Sequence, residues 1–434
     1  MRDLTARLRD IVRRESGAAP AGAPPVRELT VVPEVGFDAA PGESVAQLGG
    51  RPVDPRGACL QIDYRYPGDR PHGRRPIEAY RLHEAAPIAL FDPRLGRLEQ
   101  WTRRVVFFDI ETTGLSGGAG TLAFLVGCGW FDDEGHFTVR QFFLAGPSGE
   151  KPMLDALGRL FDEATLLVTY NGRTFDVPFM ETRWAFHRAS PPTDDLPHVD
   201  MLPPARRLWG RRDLARPGAE GCSLTSLERR VLGVHRHDDV PGFEIPARYF
   251  QFLRTGDVSL VDGILEHNRH DLISLAAVTS HALWLVQQGP EACREPSEQL
   301  ALGQLYERAG DLERAVAAYE AAGRSREADV QRLAWTRLAR LHRRHRRYDE
   351  AAEAWQQVLD LVPPGRRVLT ALEREAVEAL AVHHEHRARD LDRARAYAEA
   401  LGAAVTGRHA QDAARRLTRI RRKLAGRSDR RLDL

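Results

Sequence analysis

Lysine is almost missing from this chain. Of its 63 basic residues, only Lys151 and Lys423 are Lys, and the rest are Arg. A GC-rich genome imposes that bias; selection for phosphate binding is the rival account. Acidic residues number 61, which leaves a net charge of only +2. Such a balance excludes a uniformly basic or disordered chain. Cysteine is scarce too. Cys59, Cys128, Cys222 and Cys293 lie far apart and form no C-x-x-C pair. That excludes a disulfide scaffold or a zinc finger and fits a reducing cytoplasm. Long apolar runs are lacking as well. The longest, over 121–131, is too short and glycine-rich to span a bilayer. The opening MRDLTARLRDIVRRES carries charges throughout and has no apolar signal-peptide core. The expected location is cytoplasmic, with no membrane contact.

What is present is a chain of 434 residues with 42% hydrophobic content, enough for two or three domains and a sizeable core. Leu4, Leu8, Ile11 and Val12 fall at helical spacing, and a linker rich in Ala, Pro and Gly follows to 26. Residues 27–100 read as an N-terminal extension of short strands and turns. Residues 101–288 read as an α/β domain. RVVFFDI is a buried strand, and TLAFLVGCGWF and FTVRQFFLA continue it as an antiparallel meander turned at DDEG. Parallel strands and helices complete a mixed sheet. From 297 to 405 the chain is helical and Ala-rich. GDLERAVAAYEAA, RRYDEAAEAWQQV and RDLDRARAYAEAL echo one another, with Ala315, Ala351 and Ala394 equivalent. These echoes resemble tetratricopeptide repeats, whose arrays bind protein partners on a concave face. A plain helical bundle is the alternative. Residues 406–434 form a basic tail, suited either to a phosphate backbone or to the solvated face of a last helix.

Four acidic residues in three motifs carry the chemistry. Asp109 and Glu111 end a strand in VVFFDIETTGL, and D-x-E there puts both carboxylates on one face. Asp176 follows a tight N-G turn in TYNGRTFDVPF; an N-cap role is its rival reading. Asp271 lies in EHNRHDLISL with His267 four residues before it. On a helix, His267 shares a face with Asp271, whereas Glu266 and His270 point elsewhere. Four hard oxygen donors converging on one cleft suit two divalent cations, and two cations suit phosphodiester cleavage. Asp200 in PHVDML reads equally as an accessory carboxylate or a structural one. ARRLWGRRD (205–213) reads as a base-stacking patch around Trp209 or as a structural anchor. His235, His237 and Asp238 read as a surface loop rather than a second metal site.

At these residues the chain resembles the DEDD, or DnaQ-like, superfamily of 3′-to-5′ exonucleases, which have a ribonuclease H-like fold. The resemblance covers about residues 101–285. It runs through Asp109, Glu111 and TTGL, then Asn171, Gly172, Phe175 and Asp176, then His267 and Asp271. FFDIETTGLSGGAGTLAFLVGCGWF, CSLTSLERRVLGV and EHNRHDLISLAA are similar to the YprB-type subgroup. One position departs: members carry Tyr four residues before the last Asp or His five before it, and here His stands at the Tyr spacing. The resemblance implies that Asp109, Glu111, Asp176 and Asp271 hold two Mg²⁺ or Mn²⁺ ions, with His267 as general base. It implies that Thr112, Thr113, Gly114 and Leu115 receive a single-stranded 3′ end, with Asn171 and Phe175 shaping the floor. The expected activity is a 3′-to-5′ exonuclease, with DNA favoured and DNA repair as the setting. An RNA-directed exonuclease, and a catalytically weak scaffold acting through its repeats, are the alternatives.

Overall fold

The computed structural model describes residues 47–82, 86–92, 94–95, 104–114, 120–210, 221–237, 239–363, 368–404 and 407–432. The helix expected over 4–12, the linker to 26 and residues 27–46 lie outside the described residues. β1 (Arg51–Pro52) and β2 (Cys59–Tyr66) precede a small ribbon of β3 (Pro71–His72) and β4 (Arg75–Pro76). β5 (Val105–Thr112), β6 (Ala123–Phe131) and β7 (Phe137–Leu144) then form the expected meander. Next come α1 (Glu150–Asp162), β8 (Leu166–Thr169), α2 (Asp176–Phe186) and β9 (His198–Asp200). Among the described residues the main sheet has seven strands in the order β1-β2-β7-β6-β5-β8-β9. β8 runs parallel to β5 and to β9, while the remaining pairs are antiparallel.

β2 pairs with β7 along its whole length, from Cys59 opposite Leu144 to Tyr66 opposite Phe137. The region before residue 100 therefore contributes an outer strand to the sheet. β5 is apolar on both faces because both are covered. Val105 and Phe107 face one core, and Val106, Phe108 and Ile110 face the other. Alternation carries Asp109 and Glu111 onward along the Phe107 face.

α3 (Leu202–Trp209) and α4 (Leu224–Leu227) follow, the latter capped by Ser223, whose hydroxyl accepts from the Ser226 amide at 3.2 Å. α5 (Ile245–Thr255) leads to α6 (Ser259–Gln288), a 30-residue helix. At 1.5 Å per residue it is about 45 Å long. It lies against β5 and β6 and buries Leu272, Ile273 and Ala276 in the same core as Phe107 and Phe137.

Among the described residues seven helices follow: α7 (Pro296–Ala309), α8 (Leu312–Gly323), α9 (Ala328–Arg344), α10 (Tyr348–Asp360), α11 (Ala371–His386), α12 (Leu391–Ala404) and α13 (Gly407–Leu432). Each packs on its successor. Ala315, Ala351 and Ala394, equivalent in the sequence echoes, are all buried. Close approach is built in at Gly303, where a Cβ would meet the Tyr319 ring at 2.6 Å. Tyr319 and Trp355 are buried and fill the space between helices. One core cluster runs unbroken from Phe107 and Leu272 through Leu302 and Tyr319 to Leu380. The α/β domain and the first repeats thus share buried surface. None of the described helices is long and apolar enough to cross a membrane.

Candidate active site

Three separated segments meet at the end of β5. Asp109 lies opposite Gly127 of β6, and Glu111 opposite Leu125. Asp176 is the first residue of α2 and is buried; the N-cap itself is Phe175, so Asp176 is free of the capping role. α6 brings His267, Asn268 and Asp271. Asn268 is fully buried and donates from Nδ2 to Asp109 Oδ2 at 2.8 Å. Its Oδ1 accepts from Gln141 Nε2 at 2.7 Å. Gly127 makes room for it, because a Cβ there would sit 2.2 Å from Asn268 Oδ1. His267 Nε2 lies 3.9 Å from Glu111 and 3.5 Å from Asp271. Glu266 is exposed and stands away from the cluster, as the helical spacing predicts.

The electrostatics are those of crowded, half-dry carboxylates. Burial first, and then the charges of Asp271, Glu111 and Asp176, hold Asp109 well above the ordinary range. Burial pushes Glu111 up to about 8, against the pull of His267 and with the help of Asp271, Asp176 and Asp239. Asp176 rises to about 7, chiefly by burial, although backbone hydrogen bonds at Asp176 and Ile110 oppose it. Burial alone would lower His267, but Asp271, Asp239 and Glu111 outweigh it and its pKa is raised. A cation among these groups relieves their repulsion, and hard carboxylate oxygens are the ligands Mg²⁺ and Mn²⁺ take. The donor set therefore fits the divalent ions that ribonuclease H-like nucleases use. Among the described residues, no three His, Cys, Asp or Glu side chains are drawn together tightly enough to grip an ion as they stand. Asp271 is instead paired with the Arg236 guanidinium.

Residues 106–283 match the RNase_H superfamily, and residues 332–364 match the tetratricopeptide repeat. Over 375 residues the chain is 30% identical to "Uncharacterized protein YprB" of Bacillus subtilis (strain 168), covering 84% of this chain and 86% of that protein. The chain belongs to the YprB family. That match spans most of both chains.

Within this YprB-family fold, the other residues singled out in the sequence fall as follows. Thr112 and Thr113 are tied to the start of β6. The Thr113 amide donates to Leu122 O at 2.9 Å, and Thr113 Oγ1 accepts from the Leu122 amide at 3.0 Å. Thr112 Oγ1 donates to Gly114 O at 3.0 Å. Leu115 lies outside the described residues. Asn171 has φ 69° and forms the turn before Asp176, with its Oδ1 accepting from Thr174. Phe175 packs near Phe179, their rings 6.0 Å apart. Asp200 is buried and accepts from the backbone amides of Asn171 at 2.8 Å, Leu202 at 2.9 Å and Arg173 at 3.2 Å. It thereby fixes the turn that delivers Asp176.

The base-stacking reading of Trp209 is overturned. Its ring is buried, lies parallel to His281, and donates Nε1–H to Glu298 Oε1 of α7 at 2.9 Å. It anchors the repeats to the α/β domain, while Arg211 and Arg212 lie outside the described residues. Part of the basic tail is already paired: Arg416, Arg419 and Lys423 of α13 all pair with Glu385 of α11. His235 and His237 are exposed, as a surface loop requires, and Asp238 lies outside the described residues. Sequence reasoning passed over their neighbours. Arg236 and Asp239 turn inward to Asp271 and His267. No strand alternation could have found both, because Asp239 shares its parity with exposed His235 and His237.

Proposed function

We propose that this protein is a metal-dependent 3′-to-5′ exonuclease that removes nucleotides from nucleic acid, with DNA as the expected substrate. The observation that carries the reading is the convergence of Asp109, Glu111, Asp176, Asp271 and His267 at one strand end. A fold gains no stability from packing raised carboxylates together, so the cluster calls for a cationic role.

Asp109, Glu111, Asp176 and Asp271 would hold two Mg²⁺ or Mn²⁺ ions. Bound there, such ions lower the pKa of a water and stabilise charge on phosphoryl oxygens. His267 turns Nε2 towards Glu111 and Asp271 and would serve as general base, taking the proton of the attacking water. Asn268 holds the Asp109 carboxylate in orientation. The 112–114 backbone, pinned to Leu122, would receive the terminal nucleotide, and Asn171 and Phe175 would border it. The products would be nucleoside 5′-monophosphates. The tetratricopeptide-like helices would dock a protein partner that brings the enzyme to its substrate.

Linear and covalently closed circular single strands of one sequence, incubated with Mn²⁺, test the reading. Release of nucleoside 5′-monophosphates from the linear strand alone is expected. Cleavage of the circle would make the enzyme an endonuclease.

A further inference from the structure

The segment between α4 and α5 sends two side chains into the site that no motif announces. Arg236 is almost fully buried, its side chain 5% exposed, and donates from Nε to Glu228 Oε2 at 2.8 Å. Glu228 is itself buried on the turn that extends α4. The guanidinium reaches Asp271 with Nη2 and Asp239 Oδ2 with Nη1 at 3.2 Å, and Nη1 also lies 3.4 Å from His267 Nδ1, well beyond the Asp239 oxygen. The other oxygen of Asp239, Oδ1, lies 2.7 Å from His267 Nδ1. Both carboxylate oxygens of Asp239 are therefore engaged, one by a guanidinium that can only donate and one by the imidazole.

We propose that Asp239 is a positioning residue, held in place by Arg236 and Glu228, which fixes His267 with its proton on Nδ1 and leaves Nε2 bare towards Glu111 and Asp271. The inference deepens the exonuclease reading and rests on it. A histidine acting as base must present an unprotonated nitrogen to the reacting water, and the hydrogen bond at the other nitrogen decides which one that is. Asp239 sits outside the carboxylate quartet. Arg236 links the two halves of the site, because the same guanidinium that orients Asp239 also holds Asp271.

The substitution Asp239→Asn gives a sharp test. The carboxamide must turn its oxygen to Arg236 Nη1, since a guanidinium has no acceptor to offer an NH₂ group. Its NH₂ then faces His267 Nδ1, which has to accept. The proton moves to Nε2, the nitrogen that the reaction needs bare. Asp239→Ala frees the ring and checks that the effect does not depend on the carboxamide.

The full-length protein, labelled with ¹⁵N at histidine, is measured at alkaline pH without metal. His267→Gln identifies the His267 signals. The wild type is expected to show the Nδ1–H tautomer and Asp239→Asn the Nε2–H tautomer. On a linear oligonucleotide with Mn²⁺, Asp239→Asn is expected to lose kcat by ~100-fold or more with KM nearly unchanged. Mn²⁺ affinity, read by electron paramagnetic resonance, should stay at the wild-type value, because Asp239 is not a ligand. An Nε2–H tautomer in the wild type, or full kcat in Asp239→Asn, would overturn the proposal. Failure of the wild type on every nucleic acid would sink the exonuclease reading, and the tautomer comparison would still decide the role of Asp239.

Discussion

Asn268 on α6 and Asp109 on β5 are joined by a hydrogen bond of 2.8 Å across 159 positions of sequence. That bond fixes the register between the helix carrying His267 and Asp271 and the strand carrying Asp109 and Glu111. It depends on a missing side chain, because the Cβ of any other residue at 127 would strike Asn268. Gly127→Ala should therefore push Asn268 off Asp109. Overpacking of this kind costs about 1–3 kcal/mol. Thermal unfolding should show a matching fall in Tm, and cleavage should drop with it. A variant with wild-type Tm and activity would show that the contact is dispensable.

Asp109→Asn keeps the acceptor that Asn268 needs and removes one charge from the cluster. Metal-free protein carrying it should gain stability, with Tm higher by roughly 2–5 °C. Nuclease activity should vanish and Mn²⁺ binding should weaken. A loss of Tm would mean that Asp109 is there for the fold.

The pH dependence has a definite sign. Without a cation, Glu111 and Asp176 titrate at about 8 and about 7 in the folded chain. In the unfolded chain they titrate near 4. Raised carboxylates leave the fold unpenalised below the unfolded value, where they are protonated, and destabilise it increasingly as pH rises to the folded one. Metal-free Tm should fall by several degrees between about pH 5 and pH 8.5. Added Mg²⁺ should restore it, and more so at the alkaline end, because binding needs the carboxylates ionised. A cation effect that grew towards acid would contradict the assignment of the ligands.

Asp200→Ala removes the acceptor for the amides of Asn171, Arg173 and Leu202. Leaving buried amides unpaired costs about 1–3 kcal/mol. Activity should fall because the turn that delivers Asp176 loosens. Asp200→Asn keeps an oxygen for Asn171 and Leu202 and should recover most of the loss. An accessory metal ligand would behave otherwise, with Asn as damaging as Ala.

Much of this site was legible because local periodicity places its parts. Strand alternation put Asp109 beside Glu111, and the i, i+4 step put His267 over Asp271. The long-range partners were not legible. β2 is broken in pattern by exposed Asp63 and Arg65 at its far end, and its partner β7 begins 71 positions after Tyr66. Trp209 sits among arginines in sequence, yet its hydrogen-bond partner Glu298 comes from α7, 89 positions on. Arg236 and Asp239 hide in a polar run whose visible histidines face solvent. Tertiary pairing, which no local period encodes, decided each of these.

The central claim is that the carboxylate cluster cleaves nucleic acid from its 3′ end. A time course on 5′-labelled single-stranded DNA, duplex DNA and RNA, with and without Mn²⁺, tests it most directly. The expected result is a ladder that shortens from the 3′ end, requires the cation and is absent with folded Asp109→Ala. Intact substrate with folded, cation-loaded wild-type protein, or an equal ladder from Asp109→Ala, would contradict it.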